Sequence, residues 1–177
     1  NGRRRQRQMC IRDSIDALVP KLAKGGFYHS GQVCVSVQRV FIMGDQTAEI
    51  ASKLGDYSNN LVVGNAIYEK TECGPLIRNK EVDRVDKWVA EAIKGGAKLI
   101  SGGSKISNSC YAPTVLLDPP KESEVSKSEI FGPVICLYES ENLSEAISRC
   151  NSLPFAFQAS IFSNNYSCLL YTSDAAD

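Results

Sequence analysis

Histidine is almost missing from this chain: His29 is the only one among 177 residues. The seven cysteines include no Cys-x-x-Cys pair. Because structural zinc sites are built from four cysteine and histidine ligands at short spacings, the sequence predicts no metal site. The odd cysteine count, at low density, also argues against a disulfide scaffold and favours a reducing, cytoplasmic setting.

Net charge and long apolar runs are missing as well. Twenty Lys and Arg side chains balance 20 Asp and Glu side chains, so the composition suggests neither nucleic acid nor an acidic membrane as a partner. No apolar stretch approaches the roughly 18 residues that a membrane-spanning helix needs. With 43% hydrophobic residues, the chain has the composition of one ordinary globular domain.

The two ends differ from the middle of the chain. Residues 1–14 carry five arginines against one aspartate. Residues 9–14 and 168–177 resemble translated sequencing-adapter sequence. We therefore expect residues 1–14 and 168–177 to be artefactual or, alternatively, disordered natural tails. The folded portion is predicted to be residues 15–167.

Helical and strand patterns alternate through this portion. An apolar stripe at Ile15, Leu18 and Leu22 predicts a first helix, which Pro20 either starts or kinks. Strands alternating with helices of more than ten residues predict a parallel or mixed α/β sheet. The other predicted helices are one capped by Asp45 and ending near Asn59, one from Asn79 to the Gly95-Gly96 pair, and one capped by Asn142 and ending near Cys150; the predicted strands are 35–43, 97–101, 114–117, 134–139 and 156–163.

Several common catalytic and nucleotide-binding motifs are not found in the sequence. It contains no Gly-x-Gly-x-x-Gly fingerprint, no P-loop, no His-Glu-x-x-His and no Gly-x-Ser-x-Gly. Cysteine chemistry is the main option that remains. A lone cysteine is usually a small buried hydrophobe, and we interpret Cys73, Cys110, Cys136 and Cys150 in that way.

Cys34 has a different sequence context. It follows Gly31 and Gln32 in a predicted tight turn, after a helical stretch and before a strand. Free backbone N–H groups in such a turn favour a thiolate and any oxyanion formed beside it. His29 precedes Cys34 on the same turn and no later histidine exists, so a papain-like Cys-His pair is not predicted.

Four segments together resemble one family. Residues 27–39 combine a phenylalanine, Gly-Gln-Val-Cys and an arginine five positions after Cys34, and they resemble the active-site signature of the aldehyde dehydrogenase superfamily. Three later segments agree in order and spacing: Gly-Pro-Leu-Ile at 74–77, Tyr-Ala-Pro-Thr-Val-Leu at 111–116 and Glu-Ile-Phe-Gly-Pro at 129–133. The resemblance implies the catalytic-domain fold of that family, a mostly parallel sheet flanked by helices, incomplete in this chain.

The resemblance also implies roles for individual residues. Cys34 would be the nucleophile that forms a thiohemiacetal and then a thioester with an aldehyde, and its own N–H would stabilise the oxyanion. Glu129 would accept hydrogen bonds from the ribose of NAD or NADP, and Phe131 would pack beside the nicotinamide ribose. Gln32 and Arg39 are expected to position the Cys34 turn.

The same resemblance implies that much of the family's machinery lies outside this segment. The missing parts are most of the cofactor domain, the general-base glutamate, the oxyanion-hole asparagine and a strand that joins subunits. The parent enzyme would be a homo-oligomer, a dimer or tetramer, acting on a small-molecule aldehyde. Two alternatives stay open: a thiol esterase or acyl-transfer enzyme that uses Cys34 without a nicotinamide, and a non-enzymatic structural descendant of the fold.

Overall fold

A four-stranded mixed sheet organises the chain. The computed structural model describes residues 15–154 and 158–163. The strand order is β1-β4-β3-β2, with β1, β4 and β3 parallel and β2 antiparallel at one edge. The strands are β1 (Arg39–Met43), β2 (Lys98–Ser101), β3 (Thr114–Leu117) and β4 (Val134–Ser140); the helices are α1 (Ile15–Phe27), α2 (Thr47–Asn59), α3 (Asn79–Lys94), α4 (Glu124–Lys127) and α5 (Leu143–Asn151), with a 3₁₀ turn at Tyr28–Gly31. This arrangement confirms the predicted α/β fold with a mostly parallel sheet.

Apolar side chains cover both faces of the sheet, as expected for parallel strands packed between helices. On one face, Val40 and Leu137 pack with the apolar sides of α1 and α2. On the other face, Phe41, Leu116 and Tyr138 pack with α3, α4 and α5. Successive residues of β1 and β4 therefore enter opposite cores, which fixes the register of Val40 opposite Leu137.

The first helix runs through its proline. The chain is already helical at Ile15, so Pro20 does not start α1 but lies inside it, with its ring on the exposed side. The predicted stripe is confirmed, because Ile15, Leu18 and Leu22 are all buried. None of the helices in the described ranges is long and apolar enough to cross a membrane.

Of the two predicted N-terminal helix caps, one is present in the structure and the other is not. Asn142 caps α5 as expected, since its side-chain oxygen accepts a hydrogen bond from the Glu145 N–H at 2.9 Å. The predicted Asp45 cap of α2 is wrong. Gln46 already has helical φ and ψ, and its carbonyl accepts the first helical bond from Ile50 N–H, so Gln46 occupies the cap position without a side-chain bond.

Two strand predictions differ from the structure. Residues 35–38 were expected to begin β1, but the strand begins at Arg39 because the Ser36 N–H bonds back to the Val33 carbonyl and closes a turn. The predicted strand 156–163 lies partly outside the described residues, and its described part, 158–163, forms no strand. Phe162 packs instead against the α1–α2 core.

Candidate active site

Cys34 lies at the tip of a turn between the 3₁₀ segment and β1. The Ser36 N–H donates to the Val33 carbonyl at 3.0 Å, which places Cys34 and Val35 at the two central positions. Both residues are exposed. Among the described cysteines, Cys34 is exposed and Cys73, Cys110, Cys136 and Cys150 are buried. The structure therefore presents the Cys34 thiol to incoming molecules.

The chain before this turn has an unusual backbone. His29, Ser30 and Gly31 follow one another with φ values of 48°, 56° and 71°. Left-handed φ is uncommon for residues with a Cβ, so two of these three positions store strain. Such strain persists only where the surroundings hold it in place. The contacts of Ser30 and Gly31 supply that support.

Gly31 brings two separate motifs together. A Cβ added at Gly31 would collide with the backbone carbonyl of Gly132, so glycine is required both by its φ and by this close approach. Gly132 belongs to the Glu-Ile-Phe-Gly-Pro segment at 129–133. The turn that carries Cys34 thus lies directly against the segment that carries Glu129 and Phe131.

The Gly-Pro-Leu-Ile segment supports the same turn from another side. The Ser30 Oγ is buried and donates to the Gly74 carbonyl at 2.6 Å. The Gln32 side chain donates to the Pro75 carbonyl at 3.2 Å and accepts from the Ile77 N–H at 2.9 Å. The expectation that Gln32 positions the Cys34 turn is confirmed by these bonds.

Arg39 does not have the role expected of it. Its guanidinium donates to the Arg149 carbonyl on α5 at 3.4 Å and lies 5.8 Å from the Phe41 ring. Both contacts lie on the face of the sheet covered by α5, and neither is with a residue of the Cys34 turn. The prediction that Arg39 positions the turn is therefore wrong, because its side chain bonds instead to α5, 110 residues away in the sequence.

The loop with Glu129 and Phe131 is held through the residue between them. The Gln38 Oε1 accepts from the Ile130 N–H at 3.1 Å, and its Nε2 donates to the Ser128 carbonyl at 2.6 Å. From the other side, the Arg84 Nη2 donates to the Ile130 carbonyl at 2.7 Å. Ile130 itself is buried. Both backbone polar groups of Ile130 are therefore fixed by side chains.

This support leaves Glu129 and Phe131 pointing outward. Glu129 is exposed, and the Phe131 side chain is 37% exposed with a left-handed φ of 46°. An apolar ring held in solvent by a strained backbone is a common feature of binding sites. The loop that carries both residues approaches the chain just before the Cys34 turn through the contact of Gly31 with Gly132.

Sequence reasoning missed Gln38 and Arg84. Gln38 is a polar residue within an apolar run, four positions after Cys34, and that interruption was the only local signal. Arg84 looked like a solvent-facing residue of α3. In the structure it also pairs with Glu81 at 2.8 Å and stacks over Trp88 at 4.3 Å, which fixes its guanidinium.

Three of the other described cysteines are unsuited to nucleophilic chemistry. Burial raises the pKa of Cys73, and it raises the pKa of Cys136 to about 12 and of Cys150 to about 11. These thiols stay protonated near neutral pH, because desolvation disfavours the thiolate. Within residues 15–154 and 158–163, no group of three or more His, Cys, Asp and Glu side chains could hold a metal ion.

Comparison with known proteins places this geometry in a family. The model of the aldehyde dehydrogenase family matches residues 9–177. The chain is 36% identical over 144 residues to the 3-sulfolactaldehyde dehydrogenase of Priestia aryabhattai, covering 81% of this chain and 30% of that protein. It is 31% identical over 166 residues to the glutarate-semialdehyde dehydrogenase of Pseudomonas putida, covering 92% and 35%.

Solved structures give the same result. Aldehyde dehydrogenase 21 from Physcomitrella patens, in complex with the reaction product succinate, superposes with a TM-score of 0.89 at 31% identity, covering 96% of this chain and 36% of that one. The Mycobacterium tuberculosis aldehyde dehydrogenase complexed with NAD+ superposes with a TM-score of 0.87 at 25% identity, covering 96% and 36%. The chain thus spans about a third of the length of these relatives. Because the family model matches residues 9–177, most of the 177 residues, this chain belongs to the aldehyde dehydrogenase family.

Proposed function

We propose that this chain is the part of an NAD(P)-dependent aldehyde dehydrogenase that carries the nucleophile, Cys34, and two cofactor contacts, Glu129 and Phe131. The observation that supports it most directly is the packing of Gly31 against Gly132. This contact joins the exposed thiol to the loop with the exposed carboxylate and ring. On this proposal, residues 15–167 are the catalytic-domain portion, and residues 1–14 and 168–177 are additions to it.

Cys34 would begin the reaction by attacking the aldehyde carbon. Its sulfur forms a C–S bond, and the carbonyl oxygen becomes an oxyanion, which the Cys34 N–H would stabilise. One such donor is typically worth roughly 2.7–4 kcal/mol in the transition state. Bound NAD(P) would supply the hydride acceptor. As the former aldehyde carbon gives up its hydride, the oxyanion re-forms a C=O bond and leaves a thioester on Cys34. Water would then hydrolyse this thioester, which releases a carboxylic acid and regenerates the thiol.

The residues present fit one end of such a cofactor. The Glu129 carboxylate is exposed and offers two acceptor oxygens, which suit the neighbouring hydroxyls of a ribose. Phe131 offers a partly exposed apolar ring in the same loop. Since Gln38 and Arg84 fix the backbone N–H and C=O of Ile130, the backbone that carries these two side chains is organised before a ligand arrives, which lowers the entropy cost of binding.

The proposal extends to substrate and partners. The substrate class is a small-molecule aldehyde, and the parent enzyme is a cytoplasmic homo-oligomer, a dimer or tetramer. Nucleic acid and membranes are not among its partners, which agrees with 20 basic side chains balanced by 20 acidic ones. Hydride transfer requires a nicotinamide held about 3–3.5 Å from the reacting carbon. The 177-residue chain should not turn over aldehydes by itself, because Glu129 and Phe131 would contact only one end of the cofactor.

Two assays test the proposal against its rivals. A full-length protein containing this segment should reduce NAD or NADP in the presence of short aldehydes, and Cys34→Ala should abolish that activity while Cys110→Ala retains it. In parallel, the 177-residue chain is mixed with an activated ester without nucleotide. Steady ester turnover, together with no nucleotide-dependent aldehyde oxidation by the full-length protein, would favour the thiol esterase. No aldehyde oxidation by the full-length protein, together with no ester turnover by the 177-residue chain, would favour the structural descendant.

A further inference from the structure

A second cavity lies away from the Cys34 turn, on the face of the sheet covered by α4 and α5. Its volume is about 200 Å³. Arg39 and Phe41 of β1, Tyr138 of β4 and Arg149 of α5 form its walls, and Lys121 lies at its rim. Neither the turn at 29–36 nor the segment at 129–133 contributes to the described lining. The cavity is therefore separate from the candidate active site.

Positive charge dominates this cavity. Three of its described lining residues are cations, Arg39, Arg149 and Lys121, and none of the described lining residues is an aspartate or a glutamate. Arg149 is partly balanced from outside, since Glu145 lies 3.6 Å from its Nη1. Arg39 makes no ion pair with any residue that the structure describes, and it is half-buried. A partly buried cation without a counterion is costly unless something else compensates it.

Existing contacts compensate Arg39 only in part. The Arg149 carbonyl near the end of α5 accepts one hydrogen bond from it at 3.4 Å, while a guanidinium carries five N–H donors. Burial lowers the pKa of Arg39, and the nearby Arg149 cation lowers it further. An anion bound beside Arg39 would therefore lower the electrostatic free energy of the cavity.

Aromatic rings hold the two guanidiniums in place. Phe41 and Tyr138 stack with ring centroids 5.1 Å apart. Arg149 lies 4.7 Å from the Tyr138 centroid and 5.2 Å from the Phe41 centroid, and Arg39 lies 5.8 Å from that of Phe41. Such stacking orients the planar guanidinium forks before a ligand binds. Phe41 and Tyr138 thus form a fixed platform for two neighbouring arginines.

We propose that this cavity is a binding site for a phosphate group, either as the free ion or as part of a small phosphorylated molecule. A phosphate carries close to two negative charges at neutral pH, which matches two neighbouring arginines better than a carboxylate does. The Arg39 Nη1 already donates to the Arg149 carbonyl and the Arg149 Nη1 to the Glu139 carbonyl, so the tetrahedral oxygens of a phosphate would accept from the remaining N–H donors of each guanidinium. Lys121 and the exposed Ser148 hydroxyl add donors at the opening.

The test uses the 177-residue chain and inorganic phosphate. Isothermal titration at constant ionic strength should show saturable binding, weakened about tenfold or more by Arg39→Gln, because one charge-assisted bidentate contact is lost. Arg78→Gln removes the same charge from an exposed site outside the cavity and should leave binding unchanged. If Arg39→Gln does not fold, as judged by circular dichroism, Lys121→Gln takes its place in the titration. Lys121 is exposed at the rim of the cavity, and its substitution should weaken phosphate binding several-fold.

Three results would overturn the proposal. One is no saturable binding of phosphate, and another is an equal loss of affinity in Arg78→Gln and in the cavity variants. The third is acetate binding as tightly as phosphate at the same ionic strength, which would identify a carboxylate site. A phosphorylated molecule that competes with inorganic phosphate would distinguish a metabolite site from a site for the free ion. None of these outcomes depends on aldehyde oxidation, so the proposed function is tested separately.

Discussion

Gly31 and Gly132 are in backbone contact, although 101 residues separate them in the sequence. A Cβ at residue 31 would overlap the carbonyl of Gly132, and the φ of 71° at Gly31 is itself unfavourable for any other residue. This single contact determines how the Cys34 turn lies against the loop that carries Glu129 and Phe131. Substitution there should therefore affect both stability and the candidate site.

Gly31→Ala should lower the free energy of unfolding by about 2–3 kcal/mol, since it adds a steric conflict to backbone strain. Gly44→Ala is the matched control, because Gly44 also has a positive φ of 87° but no atom lies within 4 Å of its added Cβ. Gly44→Ala should lower the free energy of unfolding by only about 1–2 kcal/mol. Urea denaturation measures both values, and equal losses would show that the Gly132 contact has no effect.

Cys34 should be the first of the described cysteines to react with iodoacetamide. It is exposed, whereas Cys73, Cys136 and Cys150 are buried with raised pKa values, so their thiolates are scarce near neutral pH. Labelling of Cys136 and Cys150 should remain slow up to about pH 9, because burial raises the pKa of these thiols to about 12 and about 11. Peptide mapping by mass spectrometry at limiting reagent measures the order. Earlier labelling of Cys73 or Cys110 would contradict the structure.

Gln38→Leu should loosen the loop around Ile130 while leaving the sheet intact. The substitution removes the acceptor for the Ile130 N–H and the donor to the Ser128 carbonyl, and leaving such groups unpaired costs about 1–3 kcal/mol locally. Hydrogen exchange at the Ile130 amide should become at least about tenfold faster.

Gln32→Leu provides the comparison, since Gln32 bonds to Pro75 and Ile77 rather than to this loop. The exchange rate of the Ile130 amide should stay unchanged in that variant. If both variants accelerate it equally, the loop responds to general destabilisation and not to the loss of the Gln38 bonds.

Asn142→Ala should destabilise the chain by about 1 kcal/mol through loss of the α5 cap. The Asn142 side chain accepts from the Glu145 N–H at 2.9 Å, and alanine leaves that donor to water. Asn59→Ala, at the exposed last residue of α2, should change stability by less than about 0.5 kcal/mol. Thermal unfolding of the two variants checks the difference, and equal melting temperatures would argue against the cap.

The parts of the fold that were predictable are those determined by local pattern. The long helix α3 begins at Asn79 and ends before the glycine pair 95–96, because its buried valines repeat at helical spacing and the glycines end it. The predicted bounds of strand β3 agree with those in the structure, Thr114–Leu117. Cys34 could also be identified as a candidate from its motif alone.

The parts that were missed depend on contacts between distant residues. Residues 35–38 are apolar enough for a strand, yet the Gln38 side chain bonds to Ser128 and Ile130, 90 and 92 residues away. No local pattern reports such bonds. The role of Arg39 was wrong for the same reason, because its partner Arg149 lies 110 residues away on α5.

The long spacing between β1 and β4 has a consequence for the folding pathway. Arg39 pairs in register with Cys136, so these neighbouring strands meet only after a loop of nearly 100 residues has closed. Closing that loop costs chain entropy before any pairing energy is gained, and folds dominated by such non-local pairs fold slowly. During synthesis, the helices α1, α2 and α3 can form first. Gly31 and Gln38, on either side of the Cys34 turn, cannot acquire their contacts with the segment 128–132 until that segment has left the ribosome. The candidate site is therefore among the last parts of the molecule to become ordered.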